Sequence, residues 1–304
     1  MRFLLTFINA LPGACAQGLI WGIMALGVYL TFRILDIADL TVDGSFATGG
    51  AVCVMLIRSG VNCIIAFIIA ILIGLITGLV TGLLHTRCKI PAILSGILTQ
   101  LALYSVNLRI MGGKSNQPVS VDKYGLLVSQ RYVREFSINN PLWVLILVSV
   151  LIVAVLYWFF GTEKGCSVRA TGANPKMARA QGLNTDSNIV LGLMLSNGLV
   201  AASGALMAQF QGSADVNMGR GAIVIGLAAV IIGEVMFSKI GNRSFIARLT
   251  SIIFGAVVYY LVLQLVLLLG LNTNDLKLLT AAIVAIFLTM PVVLEKKRGG
   301  KKHA

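Results

Sequence analysis

Three aspartates interrupt a largely apolar part of the chain and could take part in binding. Asp36, Asp39 and Asp43 are spaced i, i+3 and i+7, so on a helix all three would lie on one face. Thr41 and Ser45 would lie beside them. A carboxylate inside a membrane costs on the order of 3 kcal/mol and usually faces water or a partner. One interpretation is therefore a weakly binding stripe for the ammonium group of a substrate.

The alternative gives two of these acids a structural role. In it, Asp36 and Asp39 lie among lipid headgroups, where they are solvated or paired with Arg33, and they cap the helix that follows. The two interpretations differ in whether the acids face a pathway or a membrane surface.

A polar segment at 161–187 separates two apolar stretches and has the residue types of a short capped helix. Asn174 can serve as N-cap, Pro175 occupies a position where a missing N–H costs nothing, and Gly182 can end the helix in a left-handed turn. Because a helix needs about 12 or more residues to be stable alone in water, packing against another protein is expected to hold this one. The residues selected by type and spacing are Gly165, Arg169, Ala170, Gly172, Asn174, Pro175, Lys176, Ala178, Arg179 and Gly182.

Six of these positions carry a resemblance to a known family. The segment is similar to the cytoplasmic loop of permeases in the branched-chain amino acid and ribose class of ABC importers. In that family the loop forms a coupling helix, which sits in a groove of the ATP-hydrolysing subunit and transmits its closure to the membrane. The resemblance implies that role for the matching positions, which are Arg169, Gly172, Asn174, Pro175, Ala178 and Gly182.

The alternative for this loop is binding to anionic lipid headgroups through Lys164, Arg169, Lys176 and Arg179. Headgroup binding would require the charge but not the spaced glycines, alanines and proline. The spacing therefore favours docking on a protein.

The composition predicts an all-α polytopic membrane protein. The chain has 304 residues, of which 58% are hydrophobic and 12% charged, and its mean hydropathy is +0.92. A bilayer core needs roughly 20 apolar residues per helix, which predicts about 8–10 transmembrane helices and a single permease domain over 1–304. The predicted spans are 11–32, 40–57, 61–84, 91–110, 141–160, 188–210, 221–237, 247–270 and 277–294.

Basic residues indicate the orientation of the chain in a cell membrane. The net charge is +13, and the densest basic clusters are the 161–187 loop and the 295–304 tail. An even number of predicted spans separates them, so both can face the cytoplasm, as expected for positively charged segments.

The third predicted span carries a stripe of small residues, Gly74, Gly78 and Gly82, at helical spacing. Such a stripe allows close helix contact. We expect it to pack inside the subunit, with a dimer contact as the alternative.

Enzyme chemistry is not indicated by the residue pattern. The five cysteines and two histidines have no spacing typical of a metal site or a disulfide framework. Gly112-Gly113-Lys114-Ser115 resembles the end of a P-loop, but it follows a predicted span instead of a buried strand. The chain is therefore predicted to bind no cofactor and no nucleic acid, and ATP and Mg²⁺ are expected on a partner ATPase.

Two interrupted segments, 38–45 and 214–221, resemble each other, and each precedes a glycine-rich apolar run. An odd number of spans lies between them, which would put them on opposite sides of the membrane. We interpret them as parts of an inverted repeat with broken helices whose N-termini approach a pathway. Chance similarity of helix junctions is the alternative.

Polar residues of these segments and of the sixth span are the candidates for lining the pathway. Amides in the sixth span could bind a substrate or, as is commoner, a neighbouring helix. Glu234 is expected to pair with Lys239 or Arg243. The candidate pathway residues are Asp39, Thr41, Asp43, Ser45, Asn197, Gln209, Asp215 and Asn217.

The chain also resembles particular subgroups of the permease class. Residues 39–45 are similar to a stretch of sugar and autoinducer permeases, with Asp43 as an insertion, whereas the whole chain resembles permeases of tryptophan and tyrosine uptake. The resemblance implies import of an aromatic or branched-chain amino acid, with a sugar or nucleoside as the alternative. It also implies ABC ATPase subunits, an extracytoplasmic binding lipoprotein and a second permease copy, as a homodimer. A secondary transporter with a coupling-ion site, or a channel, is the alternative of another class.

Overall fold

The computed structural model describes residues 2–120, 123–133, 140–236 and 244–268, and the positions 278, 281, 282, 284, 285 and 289. Its helices are α1 (Arg2–Tyr29), which continues as a π-helical turn (Leu30–Ile34), α2 (Thr41–Arg58), α3 (Cys63–Thr86), α4 (Ala92–Ile110), a 3₁₀ turn (Gln130–Tyr132), α5 (Pro141–Gly161), α6 (Glu163–Ala173), α7 (Pro175–Ala180), α8 (Thr185–Gln211), α9 (Ala222–Met236) and α10 (Phe245–Leu268). Two short strands, β1 (Asn116–Pro118) and β2 (Ser213–Asp215), pair antiparallel.

Within the described residues, six helical segments are long and apolar enough to cross a membrane. They confirm six of the predicted spans and are Ala10–Ile34, Cys63–Thr86, Ala92–Ile110, Pro141–Gly161, Thr185–Gln211 and Phe245–Leu268. The predicted spans 40–57 and 221–237 correspond to α2, with 18 residues, and to the shorter α9, with 15. Two thirds of the predicted span 277–294 and the whole of the 295–304 tail lie outside the described residues.

Helix α8 lies at the centre of the bundle, where α1, α2 and α3 pack around it. Two serine hydroxyls of α8 donate to carbonyls of α1, Ser203 to Ile20 and Ser196 to Gly27, both at 2.7 Å. Because the later residue of α8 bonds the earlier residue of α1, the two helices are antiparallel. Ser203 thus joins neighbouring helices, as was expected of the polar residues in this span.

The glycine stripe of α3 packs against α8, as predicted. A Cβ added to Gly78 would collide with the Leu193 carbonyl, and one added to Gly82 would lie 3.0 Å from the Cα atom of Val190. The absence of side chains on this face therefore lets the two backbones approach closely. The opposite face of α3 exposes isoleucines and leucines, which suits contact with lipid.

Helices α2 and α9 begin next to each other and run in opposite directions. The carboxylate of Asp43, in the first turn of α2, accepts from the backbone N–H groups of Gly221 (2.9 Å) and Ile223 (3.1 Å) at the start of α9. Helix α2 then runs parallel to α8, since Ser45 bonds Asn197 and Cys53 bonds Gln209 farther along both helices. This meeting of two helix starts is partly exposed on the flank of the bundle.

Helix α9 runs parallel to α1, which fixes its direction as opposite to that of α2. Gly226 lies against Val28, and Glu234 lies beside Arg33. Since α1 is antiparallel to α8, α2 and α9 run in opposite directions, as in the predicted inverted repeat. The expected position of segments 38–45 and 214–221 on opposite sides of the membrane is wrong, because Asp43 of the first segment bonds Gly221 of the second.

Candidate functional site

The local structure of the 161–187 loop contains the capped helix that its sequence predicts. Asn174 Oδ1 accepts from the backbone N–H of Met177 at 3.0 Å, and Pro175 is the first residue of α7. Gly182 has a φ of +82°, and the N–H of Leu183 donates to the Ala178 carbonyl at 3.1 Å. These bonds form a Schellman end, so both predicted ends of the helix are confirmed.

Sequence analysis missed a second helix in this loop, α6. Its N-cap is Thr162, whose hydroxyl accepts from the Gly165 N–H at 3.3 Å. Glycine disfavours a helix by about 1 kcal/mol per residue. Because α6 contains Gly165 and Gly172, its sequence did not indicate a helix. The Thr162-Glu163 pair was the available signal, because a hydroxyl followed by an acid is typical of a helix start.

The glycines of α6 allow it to lie directly on the membrane-spanning body. A Cβ added to Gly172 would overlap the Ile34 carbonyl at the end of the π-helical turn, and one added to Gly165 would overlap the backbone of Phe159 and Phe160. Their spacing therefore reflects close contact within this chain.

Side chains of α6 and α8 reinforce this contact. The amide nitrogen of Asn188, near the start of α8, donates to the hydroxyls of Ser167 (2.7 Å) and Thr171 (2.8 Å). Asn188 and Thr171 are buried. None of these three residues was selected from the sequence, because nothing local distinguishes them from other polar residues of a loop.

The two arginines of the predicted docking set contact their own chain. Arg169 donates to the Phe160 carbonyl at 3.0 Å and lies over the Phe245 ring, 5.6 Å from its centroid. Arg179 donates to the Thr185 hydroxyl at 2.7 Å and pairs with Asp186 at 3.1 Å. These contacts fasten α6 and α7 to the ends of the spanning helices.

The remaining predicted positions mostly face outward. Ala178 is the buried residue of α7, whereas Ala170, Asn174, Pro175 and Lys176 are exposed. Met177, which was not selected, is 59% exposed at the tip of the loop. An apolar side chain presented beside a lysine at such a tip is suited to enter a groove of a partner.

The aspartate stripe expected from the sequence does not form, because residues 36–40 are not helical. Asp36 has a φ of +57° and is exposed. Asp39 is only 2% exposed, so the alternative that placed it among lipid headgroups is wrong for this residue. Its carboxylate accepts from the N–H of Thr41, the first residue of α2, at 2.9 Å, but the N-cap position itself is occupied by Leu40.

Arg33 and Glu234 pair with each other, a contact that was not expected from the sequence. The guanidinium donates to both carboxylate oxygens, at 2.9 and 3.1 Å. Arg33 was expected beside Asp36 or Asp39, and Glu234 beside Lys239 or Arg243, which lie outside the described residues. The pair connects the π-helical turn to the end of α9.

Several candidate pathway residues form a buried hydrogen-bond network around Asn197. Its amide nitrogen donates to Asp39 at 2.7 Å, and its amide oxygen accepts from the Ser45 hydroxyl at 2.6 Å. A second chain of hydroxyls joins α2, α3 and α4 through Thr41, Thr81 and Thr99. Because every partner is buried and bonded, this network joins helices.

Gln209 has a similar role at the other end of α8. It is fully buried, accepts from the N–H of Leu127 at 3.0 Å and donates to Cys53 Sγ at 3.2 Å. Asp215 accepts from the N–H of Asn217 at 2.7 Å, which tightens the turn that leads to α9.

A cleft of about 370 Å³ lies between α4 and the turn before α9. It brings together two of the candidate pathway residues, Asp43 and Asn217, with residues that sequence analysis did not select. No spacing signal connects these residues, because they come from three separate parts of the chain. The polar side chains that line the cleft are Asp43, Gln100, Tyr104, Asn107, Asn217 and Arg220.

Comparison with known proteins identifies the family of the chain. Residues 12–289 match the family model described as the permease component of branched-chain amino acid transport systems. The chain belongs to this family. It is therefore a multi-pass membrane protein and a permease component of an ABC-type transport system, as the loop resemblance implied.

Several relatives of this permease are similar over most of their length. The chain is 44% identical to the tyrosine transport system permease protein of Clostridioides difficile, over 92% of this chain and 91% of the relative. It is 34% identical to the uncharacterized protein RP368 of Rickettsia prowazekii, over 93% and 98%. It is 24% identical to the ribose import permease protein RbsC of Escherichia coli, over 96% and 87%. The resemblance to the tyrosine subgroup is thus confirmed, and the Clostridioides and Escherichia relatives are named as transport permeases, not enzymes.

Proposed function

We propose that this permease is the membrane subunit of an ATP-driven, binding-protein-dependent importer of amino acids, with an aromatic amino acid such as tyrosine as cargo. The name of the Clostridioides relative supports the cargo, and family membership supports the ABC mechanism. The sugar named for RbsC, or a nucleoside, is the alternative cargo.

The observation that most supports the proposal is the close packing of α6, at Gly172, against the Ile34 carbonyl. Ile34 ends the π-helical turn, and the non-helical residues 36–40 connect it directly to α2. Arg33 in the same turn is paired with Glu234 of α9. A force applied to the loop would therefore be transmitted to α2 and α9, whose first turns are joined through Asp43.

The ATPase docks on the exposed tip of this loop in our proposal. Lys176 and Met177 enter its groove, while Gly165, Arg169 and Gly172 hold the loop against the permease body. ATP and Mg²⁺ are bound by that ATPase. The further elements of the proposal are a second copy of the permease, an extracytoplasmic binding lipoprotein, and a cytoplasmic position for the 161–187 loop and the C-terminus.

Substitution of Met177 by glutamate tests the docking. A charge at the tip is expected to abolish co-purification of the ATPase and ATP-dependent uptake of L-tyrosine, because a carboxylate in an apolar groove is left unpaired. The matched control is Gln211→Glu, an exposed residue at the opposite end of α8. If the Met177 variant retains both the ATPase and uptake, docking occurs elsewhere.

The source of energy separates this proposal from the other transport classes. Uptake by the complete transporter in proteoliposomes is expected to require ATP and to persist without ion gradients. Uptake driven by a sodium or proton gradient alone would indicate a secondary transporter, and passive flux without the ATPase would indicate a channel.

A further inference from the structure

The cleft between α4 and the turn before α9 lies near the mid-height of the helix bundle, measured along the helix axes. Asn197 is close to the midpoint of α8, and Ser45 bonds it directly. Asp43 precedes Ser45 by two residues, so it lies within about 3 Å of the same level along the helix axis. The cleft is therefore at a depth where a spanning protein has no aqueous headgroup region around it.

Two charged side chains at this depth lie on the flank of the bundle. Arg220 is exposed and has no ion-pair partner among the residues that the structure describes, and Asp43 lines the same cleft. Charged groups at the centre of a membrane face water or a protein partner because lipid contact is costly. The cleft is therefore part of a wet passage or is closed by another subunit.

An unsatisfied acceptor also lines the cleft. Asn107 on α4 is 1% exposed, and its Oδ1 atom has no hydrogen-bond partner among the described residues. A buried polar atom without a partner costs about 1–3 kcal/mol. It points to a donor that is bound only part of the time.

The charges and acceptors of the cleft match the head group of an amino acid. The guanidinium of Arg220 can bind a carboxylate through two hydrogen bonds. The free Oδ1 of Asn107, together with the lone pairs that Asp43 does not use for Gly221 and Ile223, can accept from an ammonium group. The volume of about 370 Å³ is within the range of about 300–1,000 Å³ that is typical of small-ligand sites.

We infer that this cleft binds the zwitterionic α-amino and α-carboxylate groups of the cargo as it crosses the membrane. The inference rests on the proposed import of amino acids. Arg220 binds the carboxylate, and Asn107 and Asp43 bind the ammonium group. Ser45, two residues after Asp43 on α2, connects this helix to the Asp39–Asn197 network.

Uptake of radiolabelled L-tyrosine by the complete transporter tests the inference. Arg220→Gln is expected to lower uptake about tenfold, because it removes one hydrogen-bonded charge from the site. The ATPase is expected still to co-purify and to hydrolyse ATP. Arg220→Lys is expected to recover part of the rate. Asn107→Leu is expected to lower uptake severalfold, and the control Arg109→Gln, an exposed residue of α4 outside the cleft, to leave it unchanged.

The outcomes distinguish this inference from the proposed function. If the wild-type transporter takes up ribose but no amino acid, the proposed function fails and the inference with it. If wild-type uptake of L-tyrosine is ATP-dependent and the Arg220→Gln and Asn107→Leu variants equal it, the inference alone is overturned. The melting temperature of each purified variant is measured as a control for folding. A value within about 2 °C of wild type corresponds to a stability change well below 1 kcal/mol and excludes misfolding as the cause of lost uptake.

Discussion

The 161–187 loop and the Asn197 network are both polar regions, but loss of a hydrogen bond is expected to cost more in the network because the network is buried. In the loop, α7 exposes most of its residues, and water can replace a lost partner. In the network, Asp39 and Asn197 are at most 2% exposed, and no water is available to replace either one. The hydrogen bond of the Asn174 cap (3.0 Å) and that from Asn197 to Asp39 (2.7 Å) have similar lengths. They are nevertheless expected to contribute differently to the free energy of unfolding.

Substitution of Asn197 by leucine is expected to cause the largest loss of stability. It removes the donor to Asp39 and the acceptor for Ser45 at once, and the buried carboxylate keeps only its bonds to Thr41. We expect a loss of about 3 kcal/mol in the free energy of unfolding, measured by thermal melting in detergent.

Ser149→Ala is the matched control for that experiment. The Ser149 hydroxyl is also buried, but it has no hydrogen-bond partner among the described residues, so its removal should leave the melting temperature unchanged. Equal melting temperatures for the Asn197 variant and wild type would show that the network contributes no stability.

Replacing Gly172 with alanine is expected to have the next largest effect, because the new Cβ overlaps the Ile34 carbonyl and lifts α6 from the body. Overpacking of this kind costs about 2 kcal/mol. ATP-dependent uptake should fall while the ATPase still binds the loop tip. Gly161→Ala, where a Cβ would meet no atom within 4 Å, is the control. Full uptake by the Gly172 variant would refute the role of this contact.

The same contrast explains which parts of the structure could be predicted from the sequence. The N-cap at Asn174 and the left-handed Gly182 depend on residues a few positions apart, and apolar length alone identifies most spans. The Asn197–Asp39 bond and the Arg33–Glu234 pair join residues far apart in the chain. Such pairs depend on how the helices pack, which no local pattern specifies.

The glycines of the loop illustrate a different limit of sequence reasoning. Gly165 and Gly172 were selected from the sequence, where their spacing suggested contact with a partner protein. In the structure their missing side chains admit the backbone of the same chain. A glycine pattern indicates that a close contact exists, whereas its partner is known only from the fold.

Loss of the N-cap by Asn174→Ala is expected to have a smaller effect. It removes the acceptor for the Met177 N–H, which costs about 1 kcal/mol for a typical cap, less the share that water recovers at an exposed site. Limited proteolysis should cut the loop faster, with global melting unchanged. Asn174→Asp keeps the acceptor and should restore the wild-type cleavage rate; failure to do so would mean that the amide binds something other than the cap.

The smallest effect is expected for Arg179→Gln, at the junction of α7 and α8. The pair with Asp186 is exposed on both sides, with side chains 70% and 59% accessible, so solvent screens most of its attraction. We expect a change of about 0.5 kcal/mol or less, which shrinks further as salt concentration rises. Melting curves at low and high salt measure it, and Asp186→Asn removes the pair but keeps the hydrogen bond from Arg179 to the Thr185 hydroxyl, so it isolates the contribution of the pair. A loss of several kilocalories per mole from either variant would show that this end of the loop is as firmly held as the Asn197 network, and the difference between the two regions would then not follow from burial.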